Sequence, residues 1–333
     1  MSLSYYFAAH APELLIVCTL LGVIVGSFLN VVILRLPVVL ERDWRRQYSG
    51  SGETRSTGDS ARAPESGFSE SYQEGGICCE SLPSLPKANP VSLTDSSDSR
   101  LPSVEEEPFN LLLPRSRCPR CAHTLLAWEN IPVLSYLLLR GRCSACHAPI
   151  SARYPLIELL SGAVAGGVAW QFGFGIHMVG ALLFTWTLIA LAFIDLDCQQ
   201  LPDEITLPAL WMGLAFNLFG VHASIEDSVI GAIFGYGILW GVYWLFRLST
   251  GKEGMGHGDF KLLAMVGAWL GWQALPATIL ISSVLGALVG IALLLRGRDR
   301  NIPIPFGPYL ALAAWIALLW GENITEWYWG ILA

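Results

Sequence analysis

Two groups of residues in this chain have types and spacings suited to chemistry: acids at the edges of apolar runs, and cysteines in closely spaced pairs. Asp259 closes the glycine-rich stretch Gly251 to Phe260 and is followed at once by a long apolar run. A carboxylate at the mouth of a hydrophobic segment is costly, so it is a functional candidate by default. The alternative role is a polar N-cap on a membrane helix, where aspartate suits the helix dipole. Asp195, Asp197 and Asp203 end another apolar run, and no Lys or Arg lies between Asp195 and Asp203. If the helices carrying Asp195 and Asp259 are neighbours, their carboxylates can face each other. Two close carboxylates cannot both ionise cheaply and share a proton. That arrangement performs aspartic proteolysis: the ionised member activates water, and the protonated member donates to the scissile carbonyl. Serine and cysteine mechanisms find less support. There is no G-x-S-x-G, Cys198 has no adjacent histidine, and His257 reads as a loop residue rather than a base.

The cysteines make a second centre. Cys118-x-x-Cys121 and Cys143-x-x-Cys146 are separated by 21 residues. Two such pairs clamp a tetrahedral zinc ion from opposite edges, and four thiolates leave no open position, so the expected role is structural. The unliganded alternative is four reduced thiols. His123 and His147 flank the pairs and are expected at the surface, while Trp128 to Leu139 is expected to supply a small core. Cys78 and Cys79 are adjacent, make a poor ligand pair, and receive no role.

These residues must be held by a membrane protein. Hydrophobic residues make up 53% of the 333 and charged residues 14%. Apolar runs of bilayer length point to an all-α polytopic fold, because helices satisfy their own backbone in lipid. The expected spans are about 13–36, 156–173, 176–195, 205–221, 228–246, 260–272, 273–296 and 303–322, eight in all. The sixth is short, and the sequence leaves open whether it crosses fully or merges with the seventh. Nothing suggests a cleaved signal peptide.

Charge orients the spans. Fourteen of the twenty Lys and Arg lie between Arg35 and Arg153, and the loops near Phe174 and His222 carry none. With eight spans every basic loop falls on the cytoplasmic side and both termini lie outside. The formal charge of −7 arises between Gln47 and Glu107, where eleven acids face four bases. That segment, rich in Ser, Gly, Glu and Pro, reads as disordered. The expected divisions are a first helix at 1–36, a largely disordered acidic loop at 37–107, a zinc-binding subdomain at 108–155 and a seven-helix membrane domain at 156–333. Glu158, just inside the second run, suggests either an interfacial pair with Arg153 or Arg35 or a site residue.

Gly256-His257-Gly258-Asp259 matches the G-x-G-D motif of membrane-embedded aspartyl peptidases. The chain as a whole resembles the bacterial type IV prepilin leader peptidases. The resemblance runs through Gly26-Ser27-Phe28-Leu29-Asn30, the cysteine pairs, Arg153-Tyr154-Pro155, Asp195 to Asp203, Gly254 to Leu263 and Pro303 to Tyr309. Only 47–107 is expected to fall outside it. The resemblance implies that Asp195 and Asp259 are the catalytic pair, with Asp197, Asp203, Gly256 and Gly258 in support. It implies an inner-membrane enzyme that removes the basic leader of prepilins and pseudopilins at the cytoplasmic face. It further implies N-methylation of the new terminus from S-adenosylmethionine, although no strand–G-x-G-x-x-G–helix signature is present and no residues are assigned to that step. A basic leader would be drawn to a loop holding acids and no bases. No nucleic-acid partner is expected, and oligomeric state stays open. Two other classes compete. A carrier would explain acids in a membrane but predicts them at the midplane with an inverted repeat, which is not evident. A scaffold docking through the zinc loop leaves the acids around Asp195 unexplained.

Overall fold

The computed structural model describes residues 11–52, 110, 111, 118, 120, 121, 123, 124, 133–251, 255–297 and 304–332. Trp128, Cys78, Cys79 and most of 47–107 lie outside those residues. No strand forms among the described residues, which are mainly helical. The helices are α1 (Ala11–Gly52), α2 (Leu134–Leu138), α3 (Arg153–Phe172), α4 (Ile176–Cys198), α5 (Asp203–Asn217), α6 (Ile225–Thr250), α7 (His257–Leu270), α8 (Leu275–Leu295) and α9 (Gly307–Leu332). All but α2 coincide with an apolar run expected from the sequence. Among the described residues, four stretches are long and apolar enough to cross a membrane: Ala11–Trp44, Ile176–Cys198, Ile225–Thr250 and Trp272–Leu295. α5 and α7 have only 15 and 14 residues.

Two boundaries depart from the expectation. α1 does not stop near residue 36 but continues through Pro37 to Gly52. An internal proline removes one main-chain hydrogen bond without forbidding the helix on either side. The start of the acidic segment is therefore helical. The sixth run is a helix of its own. Gly271 ends α7 at φ 80°, a left-handed value that favours glycine, and its N–H returns to the Gly267 carbonyl. A 3₁₀ turn, Trp272–Ala274, then leads into α8, whose first turn carries Pro276.

The chain divides into two compact units, Leu34–Ala152 and the helical body formed by the residues on either side of it. In the body, the lack of side chains lets helices approach closely. Gly22 and Gly26 of α1 lie against α3, and a Cβ on Gly26 would fall 2.8 Å from the Glu158 Cα. Ser161 seals that contact by donating to the Gly22 carbonyl at 2.7 Å, and Asn30 donates to the Tyr154 carbonyl at 3.1 Å. The same device joins α6 to α7. Gly231 and Gly235 on α6 back onto the Gly267 and Leu263 carbonyls of α7. Small residues four apart permit this backbone contact between membrane helices.

α7 is the centre of the body. From Leu262 to Trp269 every side chain is buried. Trp269, fully enclosed, lies 5.3 Å from the Phe184 ring and stacks on Phe216 at 5.4 Å. Its indole N–H donates to the Ala209 carbonyl at 2.8 Å. Gly213 makes the room, since a Cβ there would come within 2.6 Å of the indole. At the same end Asn217 donates to Ser228 and to the Ala268 and Trp269 carbonyls, and accepts from the His222 and Ala223 amides. One buried side chain thus ties α5, α6 and α7 together. α7 is fixed to α4 and α5 by its tryptophan and to α6 by glycine, which leaves its first turn little freedom.

Candidate active site and metal centre

That first turn carries Asp259. α7 begins at His257, with Gly256 in extended geometry as its N-cap. Asp259 is therefore the third helical residue, and the capping role weighed for it from the sequence does not hold. Its side chain is buried, at 7% exposure. The sequence placed His257 in a loop, but it opens α7, exposed, with its ring 5.1 Å from Tyr243 and 5.5 Å from Phe260.

Asp195 lies in the last turn of α4, at 5% exposure. The contact between α7 and the loop after α4 is made by Gly258, whose Cβ would fall 2.8 Å from the Leu201 Cβ. Gly258 thus lets the residue before Asp259 press against the loop that follows Asp195. Gly256 is less constrained, because a Cβ there would meet only the Asp259 carboxylate, at 3.9 Å.

The remaining acids have partners. Arg153, the first residue of α3, donates to Asp197 at 2.6 Å and lies over the Phe193 ring at 5.6 Å. Lys261, one turn along α7, donates to both Asp203 oxygens at 2.7 Å. The loop lacks Lys and Arg in its own sequence but receives both from neighbouring helices. The expectation that its acids stand ready for a basic leader fails for Asp197 and Asp203, because those two charges are already matched. Asp195 instead accepts the Gly307 backbone N–H at 2.9 Å. The Asp259 carboxylate takes part in no hydrogen bond or ion pair among the described residues, while its backbone N–H donates to the Gly256 carbonyl at 3.3 Å. Both carboxylates are buried, and among the described residues neither has a cation within ion-pair distance.

Gly307, Arg153, Lys261 and Leu201 were not assigned these roles from the sequence. Lys261 stands two residues after the key acid, and Gly307 sits in the proline-rich run Pro303 to Pro308. Both signals were legible as motif members but carried no contact. Ser283, Gly286, Ile304, Phe306 and Tyr309 line an open, mainly apolar cleft of about 320 Å³ between α8 and the start of α9.

In the other unit, the Sγ atoms of Cys118, Cys121, Cys143 and Cys146 lie within 4.8 Å of one another. Cys118 and Cys146 are 3.7 Å apart and Cys121 and Cys143 4.0 Å. Tetrahedral zinc, with Zn–S near 2.3 Å, needs sulfur separations of about 3.8 Å. The spacing fits. The two halves also repeat one fold. The Cys118 amide donates to the His123 carbonyl and the Cys143 amide to the Ala148 carbonyl, each at 2.9 Å. The Cys118 sulfur accepts the Cys121 and Arg120 amides, which pull that thiol down to about 6 and favour the thiolate a metal requires. Cys143 is lowered in the same way by the Cys146 and Ala145 amides. His123 and His147 are not members of the cluster. The core expected from Trp128 to Leu139 is not formed by its described part: α2 buries no residue, and Leu137 and Leu138 are exposed. Cys118, Cys143 and Ala148 are buried in its place.

The fold and these sites define a helical protein with a buried aspartate pair in its apolar body. Residues 20–172 match the bacterial peptidase A24 N-terminal domain, and residues 182–291 match the type IV leader peptidase family. The chain is 49% identical over 324 residues to the prepilin leader peptidase/N-methyltransferase of Stutzerimonas stutzeri, covering 97% of this chain and 96% of the relative. It is 51% identical over 310 residues to that of Aeromonas hydrophila, covering 93% and 91%. Against that of Pseudomonas aeruginosa it is 48% identical over 330 residues, covering 98% of each. The chain belongs to the type IV leader peptidase family. No solved structure matches it.

Proposed function

We propose that the protein is a membrane aspartyl endopeptidase that removes the basic leader of prepilins and pseudopilins and then N-methylates the new terminus. The observation that supports the first half is the burial of Asp195 and Asp259, with no cation on either among the described residues, while Asp197 and Asp203 are each matched by one. In this reading the body spans the inner membrane with eight helices, both termini outside and the aspartate pair at the cytoplasmic edge. A substrate anchored by its own apolar helix would then present its cleavage site at that depth. The segment 37–107 is a cytoplasmic loop, 108–155 a zinc-binding subdomain and 156–333 the seven-helix peptidase domain.

One carboxylate of the pair takes a proton from water as it attacks the scissile carbonyl. The other, protonated, donates to that carbonyl oxygen and stabilises the tetrahedral intermediate. Collapse of the intermediate returns a proton to the leaving amine and frees the new N-terminus. Arg153 and Lys261 hold Asp197 and Asp203 in support, and Gly258 sets the approach of the two helices. Cys118, Cys121, Cys143 and Cys146 would hold zinc, which supplies a cross-link for a unit with little apolar core. S-adenosylmethionine would supply the methyl group. The cleft by Phe306 has Ser283 and Tyr309 as its polar side chains and no carboxylate, so it does not fit a cationic sulfonium bearing a ribose. No methyl-transfer step is derived from it.

Asp195→Asn and Asp259→Asn proteins, purified from membranes and incubated with a prepilin, test the reading. Each is expected to insert and accumulate normally yet release no leader by mass spectrometry. Leader release by either variant at the parental rate would overturn it.

A further inference from the structure

The aspartate pair is asymmetric. Asp195 is in the last turn of α4, where the helix end already carries partial negative charge. Alone, that position would disfavour its ionised form. The N-terminus of α9 reverses this: Gly307, its first residue, donates its N–H to the Asp195 Oδ2 at 2.9 Å. The Asp259 carboxylate has only the diffuse field of its own helix start and accepts no hydrogen bond among the described residues. A direct hydrogen bond to a carboxylate outweighs the partial charge of a helix end. The position also demands glycine, since a Cβ on residue 307 would sit 2.7 Å from Oδ2 and 3.1 Å from Cγ.

Resting on the peptidase reading above, we propose that Gly307 is a positioning residue that keeps Asp195 the ionised member of the pair, the base that activates water, and leaves Asp259 to hold the proton. The other charged groups near Asp195 do not set this asymmetry. Asp259 comes from α7; the Arg153–Asp197 pair joins α3 to α4; and the Lys261–Asp203 pair joins α7 to α5. The first turn of α9 adds Tyr309 as its one titratable side chain.

The sign of the effect follows. Activity on the acid side of the pH profile is lost when the base takes up a proton. Removing the amide donor destabilises ionised Asp195, so the acid limb of kcat/KM moves to higher pH. If Asp259 were the member that ionises first, losing the donor would move the alkaline limb instead.

Two full-length proteins separate the outcomes. Gly307→Ala displaces the carboxylate, and replacing Gly307 by glycolic acid through nonsense suppression removes the N–H while keeping the shape. For leader cleavage from a prepilin, the ester protein should shift the acid limb upward by roughly one pH unit. Its KM should stay within about twofold, while Gly307→Ala should lose roughly 10²-fold in kcat. An unshifted acid limb in the ester protein, or a shift confined to the alkaline limb, would overturn the assignment. Failure of the underlying reading looks different: there the Asp195→Asn and Asp259→Asn proteins still cleave.

Discussion

Gly258→Ala is the smallest change that should separate the two aspartates without touching either. The new Cβ would lie 2.8 Å from the Leu201 Cβ, 3.2 Å from its Cδ1 and 3.4 Å from its Cγ. Carbon atoms rest about 3.5–4.0 Å apart, so the first turn of α7 and the loop must part by roughly 1 Å. Rotating the leucine gives no relief, because its nearest atom is fixed to the backbone. Gly258 directly precedes Asp259, so the displacement reaches the carboxylate. A shift of that size costs about 10²-fold in rate, and overpacking of this kind destabilises by about 1–3 kcal/mol. The assay is leader release from a prepilin in detergent, followed by mass, with thermal unfolding measured on the same protein. We expect kcat to fall about a hundredfold with KM little changed. Adding Leu201→Gly to the variant should recover at least about tenfold by removing the opposing atoms. A Gly258→Ala protein with parental kcat, or a double variant no better than the single, would refute the reasoning.

Lys261→Asp should reduce cleavage by placing two acids together, and the exchanged protein, Lys261→Asp with Asp203→Lys, should regain most of that loss. The pair is 31% and 48% exposed, so solvent screens it, and a double-mutant cycle on unfolding should give a coupling below about 1 kcal/mol. Cys118→Ser should abolish stoichiometric zinc, measured by elemental analysis of the purified protein. Zinc content equal to the parent would contradict the four-thiolate centre.

Composition and run length were enough to find the helices, because an apolar stretch of bilayer length declares itself without any tertiary information. The cysteine cluster was legible for a similar reason: its ligands come in local pairs whose spacing implies the geometry. The aspartate pair was legible only as a possibility. Asp195 and Asp259 are brought together by Gly258 on Leu201 and by Trp269 in the space above Gly213, contacts between segments far apart in the chain. The charge pattern misled for the same reason. The stretch Asp195 to Asp203 contains no cation, yet Arg153 and Lys261 reach it from other helices. Asp259 resembled a cap because aspartate at the edge of an apolar run usually is one. The extended backbone at Gly256 starts the helix earlier and moves Asp259 inside.

The shortness of α7 bears on how the protein is made. Fourteen residues of helix span about 21 Å, less than the roughly 30 Å of a bilayer core, and they carry Asp259 and Lys261. Such a segment has little reason to enter lipid by itself. Its buried face, from Leu262 to Trp269, meets protein, and the bare backbone of Gly231 and Gly235 on α6 offers it a berth before other helices close around it. The burial of α7 therefore depends on the face that α6 offers it. Asp259 is carried on a helix whose burial comes from its neighbours, so a bulky residue at Gly231 should be felt as a lower yield of full-length protein, measured by quantitative immunoblot.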